Sequence, residues 1–202
     1  MPRIPSFATE RLILRPPSPG DLEDFVALGA DPEVMRYIGR GQAQTRAQAA
    51  FWMECLLADA RHGIPMPHPE GLPGWLVMIE RSTGCFAGLA VLMVLPGAHV
   101  AAIGADLCPP PPVVEVGYRL ARPFWGKGYA TEAASTLLRH GFETMHLPQI
   151  VAIADVRNAA SNRVLAKLGF SLRKTYEMAG LSIHFHFLSV EHYRPAPAEA
   201  AG

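Results

Sequence analysis

Apolar and polar positions alternate through Arg11-Leu12-Ile13-Leu14-Arg15, which predicts a first strand closed by Pro16-Pro17. The period then changes. Leu22, Phe25, Val26 and Leu28 recur at helical spacing behind a start signal, Ser18-Pro19-Gly20-Asp21. Asp31-Pro32-Glu33 opens a second short helix carrying Val34, Met35 and Ile38, and Thr45 to about Arg61 reads as a longer amphipathic helix. Residues 62–74 are rich in proline and glycine and read as a loop. Strands are predicted at Trp75–Glu80 and, beyond the turn Arg81–Gly84, at Cys85–Leu95; the second is apolar throughout, as expected of a strand buried on both faces. Pro96–Pro112 reads as a long loop with a run of prolines, either bordering a site or making a solvated excursion.

The second half repeats the strand-to-helix change twice. Val113–Leu120 is a predicted strand, followed by a helical run to about His146. Pro148–Val156 is a predicted buried strand, followed by a helix from Asn158 to Leu168 stopped by Gly169. Phe170–Met178 and Leu181–Tyr193 alternate around Ala179-Gly180 and read as a closing antiparallel hairpin. This order predicts a mixed α/β (α+β) fold around one sheet, as a single domain over residues 1–194, with 195–202 a disordered tail.

At the first strand-to-helix join lies Arg122-Pro123-Phe124-Trp125-Gly126-Lys127-Gly128-Tyr129-Ala130. Gly126 and Gly128 let the chain turn sharply with no β-carbon between main chain and ligand. The first N–H groups of the helix that follows have no partner within it and point outward at the positive end of its dipole. Such a loop can hold a phosphate, and Lys127 adds a positive charge. The same glycines also suit a plain tight turn. The stretch is neither a P-loop nor a dinucleotide fingerprint.

Composition narrows the choice. The chain has 202 residues, with 18 acidic and 18 basic, and no basic run, so a nucleic-acid partner is not expected. The longest apolar run, Cys85–Leu95, is too short to span a membrane. Cys55, Cys85 and Cys108 are too few and too scattered for a disulfide framework or a zinc site; a reducing cytoplasm and no metal are expected.

The loop and a second stretch, Asn158 to Gly169-Phe170, together resemble the GNAT superfamily of N-acetyltransferases. Trp125-Gly126-Lys127-Gly128-Tyr129-Ala130 is similar to that family's acetyl-CoA signature, and Thr9–Arg15 and Glu115-Val116-Gly117-Tyr118 look like it too. The nearest branch is that of the ribosomal-protein N-terminal alanine acetyltransferases. The resemblance implies a mostly antiparallel sheet, helices on both faces, and a splayed parallel pair, Val113–Leu120 and Gln149–Val156, with acetyl-CoA between them as co-substrate. It implies that backbone N–H groups from Gly126 through Lys127, Gly128 and Tyr129 to Ala130 hold the pyrophosphate, and that main-chain groups of Leu120 and Arg122 hold the pantetheine arm. Asn158 and Ser161 would face the pantetheine and the sulfur; on composition alone they are helix caps. Trp125 stands where the family usually has Arg or Gln, and Leu165 where many relatives carry a tyrosine that protonates the leaving thiolate, so Ser161 or water would take that task.

The implied reaction is direct attack of an amine on the thioester. It needs a base, and Glu115 at the start of the cofactor-side strand is the first candidate; the alternative is a surface carboxylate with a salt partner. His184, His186 and His192 share a parity on the last strand, as base candidates or as polar-face residues. Tyr118 either lines the acceptor pocket or packs in the sheet, and Cys108 is expected to be inert. The acceptor is expected to be a protein N-terminus or a small-molecule amine, and a homodimer is an expectation by analogy. A non-catalytic acyl-CoA-binding or sensing domain is the competing reading, kept open by the missing tyrosine.

Overall fold

The computed structural model describes residues 4–62, 71–104, 106–108 and 112–195. Residues 63–70 of the loop expected at 62–74, three of the four prolines of the run (109–111), and 196–202 of the expected tail at 195–202 lie outside the described residues.

Eight strands form one sheet: β1 (Phe7–Ala8), β2 (Leu12–Arg15), β3 (Gly74–Glu80), β4 (Phe86–Val94), β5 (Val114–Leu120), β6 (Gln149–Asp155), β7 (Ser171–Met178) and β8 (Leu181–Ser189), in the order β1-β2-β3-β4-β5-β6-β8-β7. All neighbours are antiparallel except β5 and β6. The helices are α1 (Leu22–Ala30), α2 (Pro32–Met35), α3 (Arg46–His62), α4 (Gly97–Ile103), α5 (Tyr129–Arg139) and α6 (Ala159–Lys167), and α5 runs on into a π turn, His140–Thr144.

Helices cover both faces because the strands are apolar on both. Val77 and Leu89 face α1 and α3, meeting Phe25, Leu28 and Met53. Leu76, Met78, Ala90 and Val116 face the other way, onto Ala133, Leu137 and Leu138 of α5. Each such large apolar side chain contributes about 1.5–3 kcal/mol when fully buried.

Three sequence expectations are corrected. Pro96–Pro112 is not loop throughout: α4 occupies Gly97–Ile103 and lays Ile103 against Phe185, Tyr176 and Val151. The last strand ends at Ser189 rather than Tyr193, because the N–H groups of His192 and Tyr193 turn back onto the Ser189 carbonyl. The expected helix to about His146 stops being α-helical at Arg139 and widens through the π turn, after which His146 takes a positive φ of 55°.

The sheet opens at its centre. β5 is paired with β4 along its whole length, and β6 with β8. Between β5 and β6 only Glu115 and Val151 are in register. The strands are parallel, so they part toward their C-terminal ends, where β5 leads into the glycine loop and β6 into α6. Gly88 allows β4 to follow β5 on the other side, since a β-carbon there would come within 2.2 Å of the Arg119 carbonyl oxygen.

Candidate functional site

The loop after β5 is built from left-handed glycines. Gly126 has φ 75° and Gly128, which precedes α5, has φ 83°. The first bond into α5 runs from the Glu132 N–H to the Gly128 carbonyl. Among the described residues the N–H groups of Gly126, Lys127, Gly128, Tyr129 and Ala130 meet no acceptor. A β-carbon on Gly126 would meet nothing within 4 Å, so packing does not explain the glycine. Its backbone angle does, and so does space for a visitor.

Side chains from elsewhere hold this loop. Arg11 donates from Nη1 to the Lys127 carbonyl (2.9 Å) and from Nε to Glu132 (2.7 Å). Arg122 donates from Nε to Asp31 (2.6 Å), tying the loop to the turn between α1 and α2. The Trp125 indole N–H donates to the Leu120 carbonyl (2.8 Å), and the Arg122 carbonyl accepts from the Trp125 N–H. Leu120 and Arg122, whose main-chain groups are expected to meet a pantetheine arm, therefore each have a carbonyl that already has one partner inside the chain. Lys127 lies 3.6 Å from Glu80 and over the Phe124 ring, so its charge is shared with a carboxylate. The Tyr129 side chain is buried against Phe124 and donates to Glu80; only its main chain faces the loop.

Across the opening, Asn158 caps α6, its side-chain oxygen accepting from the Ser161 N–H (3.1 Å). Asn162 donates to the carbonyls of Asp155 and Asn158 and accepts from His184 and His186 (3.1 and 2.9 Å). Burial pushes His186 down to about 4, which keeps it neutral. These histidines fasten α6 to β6 and β8. His192 is apart from them, bonded to the Ser189 hydroxyl (2.8 Å). Cys108 is half-buried and its thiol is pushed up, first by burial, in keeping with an unreactive sulfur.

Between the parted strands lies a cavity of about 190 Å³ lined by Glu115 and Tyr118 of β5, Ile153 of β6, and Ser161 and Leu165 of α6. Glu115 has no salt partner among the described residues, and its Oε2 is buried with no hydrogen bond. Burial pushes its carboxyl up to about 7. The Tyr118 hydroxyl lies 3.1 Å from the Ser161 hydroxyl and 3.3 Å from the Ser161 carbonyl oxygen. Burial pushes the phenol up to about 12, more than the Ser161 bond lowers it. The cleft thus holds a carboxylate poised to take a proton near neutrality and a phenol that keeps its own. The sequence offered Tyr118 only as a pocket or packing residue; the contact with Ser161 joins residues 43 apart and leaves no local pattern.

A second cavity of about 340 Å³ adjoins the first through Ile38, Trp75 and Arg119, and extends under α1–α3 to Phe25, Gln44 and Trp52. The free N–H groups of residues 126–130 can receive an anion, and the parted strands leave an open cleft beside them.

The chain resembles known proteins over most of its length. A curated fungal protein, FsC-acetyl coenzyme A-N(2)-transacetylase of Aspergillus fumigatus, is 28% identical over 173 residues, covering 85% of this chain and 67% of that one. The uncharacterized N-acetyltransferase YoaA of Bacillus subtilis is 29% identical and covers 83% of each. The putative ribosomal N-acetyltransferase YdaF of the same organism is 38% identical, over 28% of this chain. Among solved structures, an acetyltransferase (GNAT family) from Bacillus anthracis superposes with a TM-score of 0.71 at 21% identity, covering 93% of this chain and 99% of its own. A family model described as an acetyltransferase (GNAT) domain matches residues 11–171, and the chain belongs to that family.

Proposed function

We propose that this chain transfers the acetyl group of acetyl-CoA to a primary amine, on a small molecule or a protein N-terminus, by direct attack within a ternary complex. The observation that carries this reading is the pairing, in one cleft, of the unpartnered Glu115 carboxylate with the Tyr118–Ser161 hydroxyl pair. The name of the fungal relative, a transacetylase acting at N(2), points the same way for the acceptor atom.

The N–H groups of residues 126–130 hold the pyrophosphate. When bound, acetyl-CoA supplies an activated acyl carbon. Glu115 takes the proton that the ammonium must lose before its nitrogen can attack. Tyr118, a phenol held protonated by burial, donates from Oη to the leaving sulfur and is backed by Ser161. Tyr118 thereby fills the task that Leu165, buried and without a proton to give, leaves open. Ser161 acts through Tyr118.

The test is coenzyme A release, followed by thiol detection over a panel of primary amines, on protein shown by calorimetry to bind acetyl-CoA. Binding without thiol release for any amine favours the sensing reading instead. Tyr118→Phe is expected to lower kcat by about 10²-fold with little change in acceptor KM. An unchanged kcat removes the phenol from the mechanism.

A further inference from the structure

We infer that the acceptor is a small primary amine carrying a carboxylate, and that Arg119 binds that carboxylate in the cavity under α1–α3. The inference rests on the acetyltransferase reading above and narrows its substrate.

Arg119 sits where the two cavities join. It lies opposite Leu89 of β4, so it faces α1 and α3, on the same side of β5 as Glu115 and Gly117. Among the described residues it has no salt bridge. Its one recorded hydrogen bond runs from Nη1 to the Met35 sulfur at 3.5 Å, and its Nε is buried with no partner. Burial lowers it to about 10, so the guanidinium stays charged at neutral pH. A buried, unpaired charge is costly, and a planar guanidinium with a free edge is built for bidentate capture of a carboxylate.

The rest of the cavity agrees. Among the described residues, the one other ionisable side chain lining it is Arg40, also cationic, and no carboxylate lines it. A polycationic acceptor would be repelled. Phe25, Trp52, Leu56 and Trp75 give the remaining wall an apolar character, suited to a hydrocarbon body. Glu115 and Arg119 are four residues apart on one strand, about 13 Å between α-carbons. Gly117 between them has no side chain to divide the space. One end of this face is fitted to an ammonium and the other to an anion.

The experiment uses matched pairs, each a free acid and its carboxamide: leucine, methionine, phenylalanine, 4-aminobutyrate and 6-aminohexanoate. Initial rates are read by thiol release, and acetyl-CoA affinity by calorimetry on the same preparation. For the best pair the acid is expected to have a KM at least about 10-fold below its amide. In Arg119→Met that ratio should fall toward one through KM rather than kcat, with Arg119→Lys in between. Unchanged melting temperature and acetyl-CoA affinity would show the variants folded. Equal KM for acid and amide in every pair overturns the inference, as does an Arg119→Met effect that is the same for both. Turnover confined to amines without a carboxylate also overturns it and leaves the acetyltransferase reading standing. Failure of the wild type to bind acetyl-CoA removes both.

Discussion

Gly126→Asp is expected to weaken acetyl-CoA binding by about 10³-fold or more in titration calorimetry. The φ of 75° and the empty space beside Gly126 mean that the protein itself would accept a side chain at modest cost. Forcing an L residue into that region costs about 1–2 kcal/mol. The ligand would not accept it. A carboxylate at roughly 4 Å from a phosphate, at an effective dielectric near 20, is opposed by about 4 kcal/mol, and the close approach to the N–H groups is lost as well. Gly126→Ala separates the two causes. It keeps the backbone cost and most of the steric one but adds no charge, so it binds more weakly than wild type and more tightly than the aspartate variant. Undiminished affinity in Gly126→Asp would show that the pyrophosphate lies elsewhere.

Glu115→Gln is expected to lower kcat/KM by about 10²–10⁴-fold while making the protein more stable at alkaline pH. The two effects have one origin. Burial raises the Glu115 carboxyl from 4.5 to about 7. A base works only when deprotonated, so wild-type activity should fall as pH drops through about 7. For stability the sign is reversed. The folded state holds this proton to higher pH than the unfolded state does. Its contribution is therefore complete below about 4.5 and is lost as pH rises through about 7. Glutamine removes that loss, so unfolding free energies should match near pH 4 and favour the variant at pH 8, by on the order of 1–3 kcal/mol. Tyr176 of β7, which lies near this carboxyl, is itself raised, first by burial, and stays neutral through the range. A variant that loses stability at every pH would make Glu115 structural.

Much of this was legible in the chain itself. The glycine loop, the Asn158 cap and the strand–helix alternation could be read from local chemistry, because each is decided by a few adjacent residues. The opening between β5 and β6 could not. β6 is an apolar run and β5 alternates in an ordinary way, and only the resemblance pointed to their divergence. α4 escaped because Gly97-Ala98-His99-Val100-Ala101-Ala102-Ile103 is bracketed by Pro96 and Gly104, so its punctuation reads as loop. β1 is two residues long and has no period to show. Glu115 stands out by its position, but the orphaned state of its oxygen depends on residues distant in sequence, Tyr176 of β7 among them, which the strand pattern does not place. Arg119 carries its signal in the sequence as well: a guanidinium in a strand, on the parity shared by Glu115 and Gly117.

The glycine loop divides its labour in an unequal way. On its open side it presents unpaired main-chain N–H groups, which every residue but proline possesses. Toward the protein it presents Trp125, Lys127, Tyr129 and Arg122, each anchored to Leu120, Glu80 or Asp31. The letters of the motif are therefore a record of scaffolding rather than of touch. A reader who compares such loops letter by letter measures how each chain braces the same curve. That is why a tryptophan can stand where an arginine is usual without the curve itself being lost.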